Sequence, residues 1–205
     1  MTMTVLVGSA AVFTLSTSTF NREMAVTEAT LIDAPVRSDA RAWGGLRLSE
    51  VRFRSIRAAD LGILHSFVHH LSPETGYKRL LSPRTPSDDE LRRWSAIDPA
   101  TECALVAVVG PEDQEELIGV ARFVVESPGE ADFAIVLADA WQGLGLGREL
   151  MSRLVDAARL WGLRKVRGDV LATNTGMIAL ARRSGFAARR SGIVSTLSLD
   201  LQRQS

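Results

Sequence analysis

The chain has one cysteine, one tyrosine and three histidines in 205 residues. Cys103 has no partner for an internal disulfide, and in its apolar surroundings a buried structural thiol is expected rather than a nucleophile. His65, His69 and His70 fall in one amphipathic segment and read as solvated side chains. No Cys/His spacing of a zinc site exists, so no metal is expected. Lysine is nearly missing as well, Lys78 and Lys165 being the only two among 24 basic residues. Basic and acidic residues balance at 24 each. No excess of one sign points to nucleic acid or a membrane surface as partner. Long apolar runs are also missing. Residues 5–15 are apolar but broken by Gly8 and Ser9, and fall well short of the roughly 20 residues that a membrane helix needs. No basic residue precedes Arg22, so the charged start of a signal peptide is lacking. The expected location is the cytoplasm.

Hydrophobic residues make up 46% of the chain and charged ones 23%, the composition of a globular protein with one good core. Residues 1–46 do not match the rest, and within them residues 21–45 mix charge, Ala and Pro without a clear period. They are expected to be a poorly ordered or loosely attached arm; a start codon assigned too far upstream is the other explanation. Residues 47–201 carry the regular patterns. Val51 and Phe53 alternate with Arg52 and Arg54, as in a half-exposed strand. Leu61, Leu64, Phe67, Val68 and Leu71 recur at helical spacing. Residues 72–76, Ser-Pro-Glu-Thr-Gly, break that pattern. Ser87 with Glu90 three residues on forms a capping box that opens a second helix. Residues 103–109, 117–125 and 131–137 read as three antiparallel strands joined by turns at 110–114 and 127–129.

After the third strand comes Gln142-Gly143-Leu144-Gly145-Leu146-Gly147-Arg148, and then an amphipathic helix. Leu146, Leu150, Leu154, Ala157, Ala158 and Trp161 make its apolar stripe. Glu149, Arg153, Asp156 and Arg159 are expected to face water, and Gly162 ends it. Glycines let the backbone come close to a ligand. The first amides of a helix lack intrahelical partners and sit in the positive end of its dipole. Strand, glycine loop and helix together read as a phosphate seat; a glycine-rich turn that only starts a helix is the plainer reading. The loop lacks the Lys-Ser/Thr ending of a P-loop. It is not a dinucleotide fingerprint either, because the third glycine position is Arg148. Asp169 stands where a ribose-binding acid would be, but too little chain follows for the rest of a doubly wound sheet. Residues 166–171 then form a strand parallel to the one before the loop, Asn174 opens another helix, and a hairpin around Ser191-Gly192 closes the chain. The element order is β-α-α-β-β-β-α-β-α-β-β.

Gln142, Gly145 and Gly147 match Gln-x-x-Gly-x-Gly, and with this element order the chain resembles the GNAT superfamily of acyl-CoA-dependent N-acyltransferases over about residues 48–200. Asn174, Leu180, Gly185 and Phe186 match a second segment of that family. Leu71, Ser72, Pro73, Glu74, Tyr77, Arg79 and the run Asp132-Phe133-Ala134 resemble the acetyltransferase domains of bacterial protein lysine acetyltransferases. The resemblance implies an α/β fold: a mixed central sheet with splayed middle strands and helices on both faces. It implies transfer of acetyl from acetyl-CoA, the co-substrate, to an amine by direct attack in a ternary complex. A non-catalytic acyl-CoA-binding module and an ordinary nucleotide-binding domain are the rivals.

By the same resemblance, the amides of Gly143, Leu144, Gly145, Leu146, Gly147 and Arg148 hold the diphosphate, and Gln142 shapes the loop. The backbone of Val136 and Leu137 pairs with the pantetheine arm. Asn174 contacts that arm, with a helix N-cap as its equal alternative. Asp132 aligns with the family's general base, one methylene short, with Glu126 and Glu130 as neighbouring substitutes; a solvated strand residue is the other reading. The family's acidic Tyr is replaced by Ala181. Tyr77, expected in the loop between the first two helices, orients substrate or protonates the thiolate, or only packs. Arg182 or Arg183 is a candidate for the 3′-phosphate. Acceptor identity and oligomeric state are not written in these residues.

Overall fold

The computed structural model describes residues 50–202 in full. Outside them it describes the backbone of two strand pairs, Met3–Val7 antiparallel with Ala11–Leu15 and Ala42–Trp43 antiparallel with Leu46–Arg47. The rest of residues 1–46, and with it the expected loosely attached arm, lies outside the described residues.

The order is β1 (Arg52–Ser55), α1 (Leu61–His70), α2 (Pro73–Leu80), α3 (Asp88–Ser95), β2 (Glu102–Val109), β3 (Glu116–Ser127), β4 (Glu130–Leu137), α4 (Leu146–Leu160), β5 (Lys165–Leu171), α5 (Thr175–Arg183), β6 (Ala187–Ser191) and β7 (Val194–Asp200). The seven strands form one sheet in the order β6-β7-β5-β4-β3-β2-β1. Every neighbouring pair is antiparallel except β4 and β5, which α4 connects. The sheet is covered on both faces, which is why β2 is apolar from Cys103 to Val109. Cys103, Leu105, Ala107 and Val109 point to the side of α4, where Phe123, Leu150 and Leu154 are fully buried. Ala104, Val106 and Val108 point to the other side, against Leu64, Phe67 and Leu91 of α1 and α3.

Three local readings differ from the expectation. Residues 72–76 are a helix start rather than a break. Ser72 caps α2 by accepting a hydrogen bond from the Thr75 amide at 3.2 Å, and Pro73 occupies the first turn, where its missing N–H costs nothing. Tyr77 is therefore helical. The strand β1 is not half-exposed, because Arg54 is buried: its guanidinium binds Asp60 through two bonds of 2.7 and 2.9 Å and also binds Glu115. Burial alone would lower its pKa, but the bonds to the two carboxylates outweigh that and raise it. Arg153 also does not face water. It is buried against the Phe53 ring, 4.4 Å from its centroid, and donates to Glu149 at 2.9 Å. In both cases a long apolar stem covers core while the head finds a carboxylate.

One constraint positions everything that follows. β4 and β5 pair for only three residue positions, Glu130 with Lys165, Ala131 with Val166 and Asp132 with Arg167. They then diverge. Gly168 stands at the divergence: a Cβ there would lie 2.7 Å from the Phe133 carbonyl oxygen and 2.9 Å from the Phe133 ring. The backbone oxygen cannot rotate away, so Gly168→Ala is expected to cost about 1–3 kcal/mol. Thermal unfolding should show a melting point lower by about 2–4 °C per kcal/mol.

Candidate active site

Where β4 and β5 part, a cleft of about 850 Å³ opens. Its floor is the free edge of β4 beyond Asp132, whose β5-facing peptide groups have no partner strand. One end is closed by the loop that follows β4 and by the start of α4. The loop turns through Gly143 at φ 74° and Gly145 at φ 97°, the left-handed region in which a side chain is strained. Gly147 is needed for a different reason: a Cβ would come within 3.2 Å of Leu180 and 3.3 Å of Leu137, so the helix start packs tightly on both. The amides of Gly143, Leu144, Gly145, Leu146 and Gly147 donate to no acceptor among the described residues. Five free N–H groups facing one end of a cleft, at a helix N-terminus, suit an anion of phosphate type.

Gln142 holds this loop from behind. Its Nε2 donates to the Leu137 carbonyl at 3.2 Å and to Thr75 Oγ1 at 3.1 Å. Asp139 continues the tie. It accepts from the Ser72 amide at 2.8 Å, from Ser72 Oγ at 2.7 Å and from Thr75 Oγ1 at 2.7 Å. Burial would raise the Asp139 pKa, but these hydrogen bonds outweigh it and hold the carboxyl below its ordinary value. The start of α2 is thereby fastened to the turn before the glycine loop. Sequence reading missed Thr75, Asp139 and this tie. The Ser72-Pro73 pair is a legible cap, but a bond to a residue 67 positions away leaves no local pattern.

Val136, Leu137, Gln142, Gly143, Leu144, Gly145, Gly147, Arg148 and Asn174 all line the cleft. Leu146 does not: its side chain is fully buried in the core and only its amide lies at the helix start. Asn174 caps α5, its Oδ1 accepting from the Met177 amide at 3.1 Å. Arg183 lines the cleft and Arg182 does not. Asp169 accepts from Thr196 Oγ1 at 2.7 Å.

Asp132 lines the same cleft at the last paired position of β4. No hydrogen bond reaches its carboxylate among the described residues. Burial raises its pKa to about 6, helped by Glu126 and Asp169 and opposed by Arg167 and Arg79. Glu126 is bound to Arg167 at 2.5 Å and is less available for proton transfer. Tyr77 is not brought to Asp132. It is 40% exposed and borders a second cavity of about 350 Å³ between α1, α2, α3 and the sheet. The two cavities share Arg79, Leu80 and Val136.

This cleft, loop and strand order agree with what comparison finds. The model of the Acetyltransferase (GNAT) family matches residues 64–186. An acetyltransferase of Pseudomonas aeruginosa is 32% identical over 148 residues, 71% of this chain and 80% of that protein. The acetyltransferase Pat of Mycolicibacterium smegmatis is 32% identical over 129 residues, 61% of this chain but 38% of its own length. Among solved structures, the GNAT domain of S. lividans PAT superposes with a TM-score of 0.68 at 27% identity, covering 73% of this chain and 90% of that one. The chain belongs to the GNAT family. It is an acyl-CoA-dependent N-acetyltransferase, with acetyl-CoA as donor and an amine as acceptor.

The tie between α2 and the loop can be tested at Thr75, which also borders the cleft. Thr75 is buried, and Thr75→Val keeps its shape while deleting the hydroxyl that joins Asp139 to Gln142. The hydroxyl makes two hydrogen bonds, so at about 1 kcal/mol each the melting point should fall by about 4–8 °C. The KM for acetyl-CoA should rise as the loop loosens, with kcat less affected.

Proposed function

We propose that the five free amides of residues 143–147 seat the diphosphate of acetyl-CoA, and that Asp132 takes the proton from the acceptor amine; the Arg148 amide, expected to join that set, instead donates to the Gly145 carbonyl at 3.0 Å. The observation that carries this reading is the unpaired N–H set at the mouth of the cleft. The edge of β4 supplies main-chain partners for the pantetheine arm at Leu137, whose amide is free among the described residues while its carbonyl accepts from Gln142. Val136, expected to share this role, directs its peptide groups toward β3 and contributes its side chain to the wall. A β4 amide near the thioester carbonyl donates to its oxygen as charge develops there. Asn174 spends its carbonyl on the cap and turns its amide group toward the arm. Arg183, near the opposite wall, meets the 3′-phosphate.

The reaction asks little more of the protein. The amine nitrogen forms a bond to the acyl carbon, the carbon–sulfur bond breaks, and the thiolate leaves. An amine is mostly protonated near neutral pH, so a base beside the cleft raises the reactive fraction. Asp132 is ionised above about pH 6 and reaches the amine directly or through one water. Tyr77, on the acceptor side, orients the incoming amine. A coenzyme A thiolate is stable enough to leave without a dedicated acid, in keeping with Ala181 where the family carries Tyr. Among the described residues no helix is long and apolar enough to cross a membrane; the cytoplasm, where acetyl-CoA is made available, is the proposed location.

Two experiments test these roles. Gly143 has open space around it, so Gly143→Glu disturbs packing little beyond the roughly 1–2 kcal/mol of its left-handed backbone. It puts a carboxylate in the diphosphate seat. Calorimetry should find coenzyme A bound at least about tenfold more weakly; unchanged affinity would remove the loop from the site. For Asp132, kcat/KM should climb with pH through an inflection near 6. Its folded pKa lies above the unfolded value of about 3.9. Stability therefore falls as pH rises between those values, and the ionised group is a burden above them. Asp132→Asn should lower kcat about 10²- to 10⁴-fold while the melting point at pH 7.5 holds or rises. Activity retained near wild type would dismiss Asp132 as base.

A further inference from the structure

The second cavity has an unusual lining. Its walls are apolar, with Leu64, Phe67 and Trp94 among them, yet three arginines border it and no aspartate or glutamate does. Arg84 is paired with Glu90, and Arg122 with Glu102 at 2.6 Å. Arg79 is different. It extends from α2 between the two cavities and lines both. Its guanidinium carbon lies 5.6 Å from the centroid of the Trp94 ring. No hydrogen bond or ion pair is made to it among the described residues. Burial, with Arg122 nearby, pushes its pKa down to about 10 against the opposing pull of Asp132. An inward guanidinium with five donors and no acceptor is costly in the free protein. It fits a planar anion that arrives with the substrate.

We infer that the acceptor is a small amino carboxylate with an apolar side chain. Arg79 receives the carboxylate, the side chain fills the cavity beside Phe67 and Trp94, and the amine points across Val136 into the cleft that holds Asp132. A polyamine would bring positive charge into an arginine-bordered pocket that offers no carboxylate. Arg79 and Val136 line both cavities, so a ligand held by Arg79 in one borders the cleft that contains Asp132. In the transfer the amine nitrogen bonds to the acetyl carbon and the bond to sulfur breaks. The proton lost by nitrogen goes to Asp132 and from there through solvent to the departing thiolate, so that coenzyme A thiol and an N-acetyl amino acid are released and Asp132 is ionised again. The assignment rests on the proposed place of Asp132 and the thioester in the neighbouring cleft.

The test compares acceptors that differ only in charge. Thiol release from acetyl-CoA by the full chain is measured with L-phenylalanine, L-leucine and L-methionine, with their amides, and with a lysine peptide and spermidine. A charged, forked hydrogen bond should make kcat/KM for each acid about 10- to 100-fold higher than for its amide. Arg79→Gln should collapse that ratio toward one, mainly through KM, and Arg79→Lys should restore part of it; a packing role would lower acid and amide alike. If Arg79→Gln does not fold, the wild-type ratio still decides. Binding is read separately, by calorimetry with N-acetylphenylalanine and its amide. Equal rates for acids and amides, or turnover of the peptide or spermidine alone, would overturn the inference and leave the transferase assignment intact. No turnover of any amine, with the N-acetyl acid bound more tightly than its amide, would keep the pocket and overturn the proposed role of the cleft. Equal affinity for that pair would overturn the pocket itself.

Discussion

β4 and β5 lie side by side for three residues and then separate. A parallel pair is held by evenly spaced hydrogen bonds, and ending the ladder early leaves a row of strand N–H and C=O groups facing a gap. In a folded core such groups are expensive unless something satisfies them. In the function proposed above, the arm of acetyl-CoA lies in this gap and satisfies them. The two strands are joined by α4, so the same divergence that bares the strand edge also points the start of the helix at the gap. Edge and helix start are thus consequences of one feature of the sheet. Gly168, where a side chain would strike the Phe133 carbonyl, sits at the fork.

Around that fork the helices are held by polar contacts between distant parts of the chain. Ser72 and Thr75 on α2 bind Asp139 and Gln142 next to the glycine loop. The helix that carries Tyr77 and Arg79 is therefore fastened to the turn that precedes the glycine loop. At the outer edge, Arg54 on β1 joins Asp60 ahead of α1 to Glu115 ahead of β3. Such buried ion pairs add little net stability over an apolar substitute. They do define which neighbour each element must have.

Charge is arranged unevenly across the fork. The carboxylates of Asp132, Glu126 and Asp169 lie on β4, β3 and β5; Glu126 and Asp169 raise the proton affinity of Asp132, while Glu126 is paired with Arg167 and Asp169 accepts from Thr196 Oγ1. On the other side of Val136 the lining is apolar and bordered by arginine. One cleft wall thus favours a group that accepts a proton, and the adjoining pocket favours a group that carries negative charge.

Much of this was legible in the chain itself. The alternation and runs of apolar residues announced β2, β3 and β4 because a sheet covered on both faces leaves no room for polar side chains. Gly143, Gly145 and Gly147 announced the loop because two of them need left-handed backbone and the third needs close contact. Ser87 and Glu90 announced the start of α3 because a capping box is entirely local. The resemblance of these motifs to the GNAT family supplied the order of the parts and the donor. Other features had no local signature. Arg54 and Arg153 look like surface residues until distant carboxylates and Phe53 are brought to them. Residues 72–76 look like a break because the partner that fixes Ser72 is Asp139. Whether Asp132 holds or yields a proton, and whether Arg79 meets an anion, depends on burial and on charges from α2, β3, β4 and β5. The sequence determined the elements and the phosphate-type loop, since those follow from neighbours in the chain. Only the tertiary structure decided the two pockets and the electrostatics between them, since charge and solvent exclusion act through space.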